Sequence, residues 1–142
     1  MSLDIRVTDF MRVLKADTGV TSYVNASNIV LGYNTTNISY PMIAVLPPVD
    51  NSVGRFGCKN ADEGNRESNV DGTFQVEIYC DNPNGGARKC GLISDAIKKA
   101  LSFNNVSGCK SFTKSSGPFG YDDIDNHWRL VERWSYLNID SD

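Results

Sequence analysis

The sequence predicts an α+β domain, a mostly antiparallel sheet of about four to five strands with two helices packed on one face. Three observations carry this. First, residues 72–80 alternate: Phe74, Val76, Ile78 and Cys80 share one face, and Thr73, Gln75, Glu77 and Tyr79 share the other. A period of two is a strand with one buried face. Second, the turn-rich run Asp81-Asn82-Pro83-Asn84-Gly85-Gly86 is followed by a change of period. Ala87, Cys90, Ile93, Ile97, Ala100 and Leu101 recur at helical spacing, with Arg88, Lys89, Asp95, Lys98 and Lys99 between them. That is an amphipathic helix of about four turns, which must lie on a sheet to bury its stripe. Third, the remaining strand-like runs are joined by connections short enough for antiparallel pairs.

Size and composition suit a single domain over residues 1–142. A chain of this length buries about two thirds of its unfolded surface without a disulfide or a metal. Hydrophobic residues make up 40% of the chain and the net charge is −3, which is an ordinary globular balance. The acidic sign argues against a nucleic-acid groove, which needs a basic surface. No run approaches the ~20 apolar residues of a membrane span. The N-terminus lacks a basic region followed by an apolar run, so no signal peptide is expected. The four cysteines, Cys58, Cys80, Cys90 and Cys109, are widely spaced and form no CxxC pair. Cys80 and Cys90 fall on predicted buried faces and read as small hydrophobes in a reducing compartment, with a disulfide as the alternative.

In chain order, Leu3, Val7, Phe10, Met11 and Leu14 keep helical spacing, and a helix is predicted over 4–16. Asp17-Thr18-Gly19 stops it. One further turn is expected over 20–25, with Thr18 as its cap. Residues 28–33 read as a short strand and 34–39 as a loop. Met42-Ile43-Ala44-Val45-Leu46 is a continuous apolar run, which suggests a central strand, and Pro47-Pro48 is expected to end it. Residues 49–69 hold only Val53 and Phe56 as large apolar residues beyond Val49, and read as a long mobile excursion between two adjacent strands. After the central strand and helix, 106–113 reads as a weak strand and 114–125 as a loop. Residues 127–139 read as a long strand. Trp128, Leu130, Glu132, Trp134 and Tyr136 lie on one face; Arg129, Val131, Arg133, Ser135 and Leu137 lie on the other.

No catalytic or metal-binding constellation stands out, so an enzyme is not expected. His127, the only histidine, sits at a strand start with no nucleophile beside it. Asp122-Asp123-Ile124-Asp125 lacks the later ligands of a calcium loop. Gly85-Gly86 before Arg88 and Lys89 lacks the Walker spacing and reads as a glycine-rich helix start rather than a phosphate cradle. The Asn-x-Ser/Thr sites at Asn25, Asn34, Asn37 and Asn105 read as products of an Asn-rich chain. Trp128 and Trp134 beside Arg129 and Arg133 resemble a base-stacking pattern, but alternation on a strand favours core and interface.

In order and spacing, nearly the whole chain resembles the tail terminator, or tail completion, proteins of long-tailed bacteriophages and gene transfer agents. The resemblance rests on the N-terminal amphipathic helix, the lead-in Tyr40-Pro41-Met42-Ile43, the strand Val76-Glu77-Ile78-Tyr79-Cys80, the helix positions Ala87, Leu92, Asp95, Ala100 and Leu101, and the arginine- and aromatic-rich strand from Arg129 to Tyr136. The long 49–69 excursion departs from the family pattern. The resemblance implies a non-enzymatic virion protein without cofactors, assembled in the host cytoplasm and sited at the head-proximal end of the tail. It would form a homo-oligomeric ring, usually a hexamer. The ring would cap the tube, contact the tail tube protein and the neck or head-completion protein, and let DNA pass without specific binding. Arg55, Phe56, Lys59, Glu63 and Arg66 are then the candidate assembly loop, and Trp128, Arg129, Arg133 and Trp134 the candidate interface strand. Neck or stopper proteins and tail-tube subunits are the neighbouring alternatives. A small ligand-binding α+β domain would need a pocket of convergent polar groups, which the sequence does not mark.

Overall fold

A computed structural model of the chain describes residues 3–32, 39–51, 70–81, 85–106, 109–122 and 126–138. It is an α+β fold. The helices are α1 (Leu3–Ala16), α2 (Thr18–Thr21) and α3 (Gly86–Phe103). The strands are β1 (Ile29–Leu31), β2 (Met42–Asn51), β3 (Val70–Cys80), β4 (Cys109–Asp122) and β5 (His127–Asn138). They form one five-stranded sheet in the order β1-β2-β3-β5-β4. The predicted excursion at 49–69 begins later than expected, because β2 runs to Asn51. The rest of it, with Cys58 and the candidate residues Arg55, Phe56, Lys59, Glu63 and Arg66, lies outside the described residues.

The helices cover one face of the sheet. Alternation sends Ile43 and Val45 of β2 and Phe74, Val76, Ile78 and Cys80 of β3 into the same cluster as Phe10 and Leu14 of α1 and Ile93 and Ile97 of α3. Phe74 is its centre: its ring stacks on Phe10 at 4.2 Å between centroids and lies 5.1 Å from Tyr136. Two glycines permit this closeness. A Cβ at Gly72 would lie 2.3 Å from the Tyr136 ring, and one at Gly86 would lie 2.4 Å from Trp128 Cδ1. Gly85, at φ 90°, makes the left-handed turn that starts α3 without a side-chain cap. At the other end of α3 the Asn104 side chain donates to Ala100 O at 2.8 Å, pairing one of the last free carbonyls.

Several expectations need correction. The cap of α2 is Asp17, not Thr18: its carboxylate accepts from the Val20 N–H at 3.0 Å. β1 and β2 are parallel, with Ile29 opposite Ile43, whereas the other strand pairs are antiparallel. Pro47-Pro48 does not end β2. The register with β3 shifts between Leu46 and Val49, so the prolines occupy an irregularity that demands no ladder donor, and pairing resumes beyond it. A weak strand at 106–113 and a loop at 114–125 were expected; 107–108 and 123–125 lie outside the described residues, and Cys109–Asp122 is the single long strand β4. Its pairing comes from the β5 backbone, so its Ser- and Gly-rich side chains do not matter to the ladder. β4 carries register shifts at Lys110/Thr113 and Ser116/Phe119, and Ser111 there has φ 59°.

Candidate functional site

One face of the sheet is covered by the helices. The opposite face, open in that no described helix lies on it, still buries Met42, Ala44 and Tyr79 in a second cluster, and each face holds a buried carboxylate. On the open face Glu77 is fully buried. Its Oε1 accepts from the Tyr79 hydroxyl at 2.5 Å and from Arg129 Nε at 2.9 Å, while Oε2 accepts from Gln75 Nε2 at 2.8 Å. Strand register explains the gathering, since Glu77 and Tyr79 alternate on β3 and Tyr79 lies opposite Arg129 on β5. Burial, and then the bond to Glu77, raise the Tyr79 phenol above its ordinary pKa. The same carboxylate raises the Arg129 guanidinium. His127 closes the cluster at one end. Its ring stacks on Tyr40 with centroids 5.4 Å apart, meets Tyr79 edge-on, and places Nδ1 3.3 Å from the Tyr40 hydroxyl.

On the covered face the carboxylate is Glu132, 1% exposed. Oε2 accepts a short hydrogen bond from Ser94 Oγ of α3. Lys114 Nζ of β4 stands 3.4 Å from that oxygen and donates to Ser94 Oγ at 3.0 Å. Oε1 is buried and accepts no hydrogen bond among the described residues. These groups line a trench between α3 and β4. One compartment, about 490 Å³, is lined by Arg88, Leu92, Ser94, Asp95, Lys114 and Glu132 among others. The next, about 660 Å³, runs past Lys98, Leu101, Phe112 and Trp134. Lys114 lines both.

The predicted interface strand lies inside the sheet, between β3 and β4, and its residues divide between the two faces. Trp134 is buried in the core and Trp128 packs against it; both indole N–H groups are buried and have no acceptor among the described residues. Arg129 is held by Glu77, whereas Arg133 is exposed on the open face, opposite Gln75. Asp122 ends β4 opposite His127, and Asp123 and Asp125 lie outside the described residues. Cys80, Cys90 and Cys109 are buried free thiols. The Cys80 thiol is lowered by a hydrogen bond from Cys90, and that same contact raises Cys90. Among the described residues no group of three or more His, Cys, Asp or Glu could hold a metal ion, and no helix is long and apolar enough to cross a membrane. The Ser94–Lys114–Glu132 cluster was not anticipated. Its visible signal was a glutamate on the aromatic face of β5, between Leu130 and Trp134.

The architecture defines an α+β class with helices on one side of a mixed, mainly antiparallel sheet. No family model matches the chain, and no curated protein matches it. A solved structure does match. A chain from the virion of a native gene transfer agent particle aligns with a TM-score of 0.65, at 11% identity, covering 91% of this chain and 90% of that chain. At that identity the likeness is one of fold.

Proposed function

We propose that this chain is a structural virion protein of the tailed-phage and gene-transfer-agent type, and that it works as a tail terminator. In this reading it forms a closed ring, usually of six copies, at the head-proximal end of the tail tube. The ring ends tube polymerisation and offers its other side to the neck, and DNA passes through without specific contacts. It has no catalytic role. The observation that carries the reading is the near end-to-end likeness of fold to a chain of a virion particle. The resemblance in order and spacing of the N-terminal helix, the Tyr40-Pro41 lead-in and the last strand narrows it from virion protein to terminator. A neck protein would share the virion setting, and a tube subunit would stack without limit.

The test is mass photometry with negative-stain microscopy, on the protein alone and with purified tail tubes. Closed rings, alone or on one tube end, support the proposal. Long polymers point to a tube subunit. Monomer at high concentration that ignores tubes overturns the ring.

A further inference from the structure

We propose that copies of this chain join face to back, with Arg133 on the open sheet face of one copy entering the α3–β4 trench of the next and donating to Glu132 Oε1. This rests on the ring reading above. The first observation is the unpartnered oxygen. A buried carboxylate normally has its acceptor sites filled, and an unfilled one is costly. Glu132 has Ser94 and Lys114 on Oε2 and nothing on Oε1 among the described residues. The second is the exposed arginine. Arg133 is exposed and has no ion pair among the described residues. A guanidinium carries a fork of donors suited to a carboxylate and gives up its hydration more readily than an ammonium.

The third observation is placement. Glu132 and Arg133 are neighbours on β5, so strand alternation sends one to each face. Donor and acceptor therefore lie back to back in one subunit. A contact between unlike faces is heterologous, and repeating it gives a ring where the rotation closes and an open filament where it does not. The trench supplies room of about 490 Å³, and exposed Asp95 offers a second acceptor on its rim. Lys114, with a 27% exposed side chain, lines the trench beside Glu132, and the contact requires it to shift as the guanidinium enters. Further along the same face of β5, Leu137, 41% exposed, adds apolar surface for the neighbouring copy.

The experiment places a benzophenone amino acid at position 135 of the full chain, two residues along β5 on the same face as Arg133, so that Arg133 itself is kept. Rings or tube-bound rings are irradiated, and the inter-copy cross-links are mapped by mass spectrometry. Cross-links to the α3 segment Arg88–Asp95 or to Lys114 are expected. In parallel, Arg133→Glu should raise the concentration for half-assembly at least tenfold, Arg133→Lys should raise it less, and the monomer melting temperature should not move. Rings that form normally with Arg133→Glu, or that cross-link elsewhere, overturn this inference and leave the ring reading standing. Absence of any ring, with wild-type protein and tubes present, overturns both.

Discussion

Glu77 and Glu132 are buried carboxylates on opposite faces of one sheet, and their surroundings differ in kind. Glu77 accepts from Gln75, Tyr79 and Arg129, two of them charge-neutral and one a cation. Glu132 accepts on one oxygen only. A charge wholly satisfied inside its own subunit needs nothing further. A charge half satisfied holds binding capacity for a neighbour. The open face therefore carries no described helix yet is closed around Glu77, and the helix-covered face has an unfilled site at its border.

The largest effect expected from contrasting the faces comes from adjacent residues of β3. Phe74→Ala removes the ring at the centre of the covered face and should cost ~3–5 kcal/mol in urea unfolding. Gln75→Ala, which loses a single bond to Glu77 on the open face, should cost about 1 kcal/mol. Comparable losses would mean that both faces are packed alike.

The carboxylates sharpen the contrast with one isosteric change. Glu77→Gln sets an amide N–H₂ against donors on both sides and should cost ~2–3 kcal/mol. Glu132→Gln meets no opposing donor on its unfilled side and should cost less, about 1–2 kcal/mol, from the lost pairing with Lys114 and an unpaired amide. Equal costs, read from the same unfolding curves, would show that Oε1 is satisfied after all. Next in size, Gly86→Ala forces a Cβ to within 2.4 Å of Trp128 Cδ1, so the helix must shift, at ~1–3 kcal/mol. A melting temperature equal to wild type would mean that Trp128 turns aside freely.

The smallest effect is in pH. Tyr79 has a folded-state pKa raised above its ordinary value of 10.0. Its contribution to stability is thus complete below pH 10 and is lost as pH rises through the higher folded value. Stability should fall with rising pH above 10, and Tyr79→Phe should flatten part of that slope. An unchanged slope in Tyr79→Phe would remove Tyr79 from the closed cluster.

The sequence made the apolar face legible because periodicity reports burial. Phe74, Val76 and Ile78 on β3, and Ile93 and Ile97 on α3, could be placed by spacing alone. β4 was illegible because, beyond Cys109 and Phe112, this edge strand sends few side chains into the core. The ladder to β5 is backbone chemistry, which Lys114-Ser115-Ser116-Gly117 does not advertise. The parallel β1–β2 pair was missed for a similar reason, since direction is set by the path of the connection rather than by the apolar run itself. Of the site, the glutamate among aromatics on β5 was visible. Ser94 and Lys114 were not, because they meet it from elements 38 and 18 residues away in sequence.

The irregular β4 edge also bears on how the protein keeps. Two register shifts, a left-handed Ser111 and Pro118 interrupt the outer row of backbone donors and acceptors. An incoming strand meets a broken ladder along such a border, which disfavours edge-to-edge fusion of copies at β4. A concentrated stock of free subunits should therefore resist amyloid-like fusion along the β4 border.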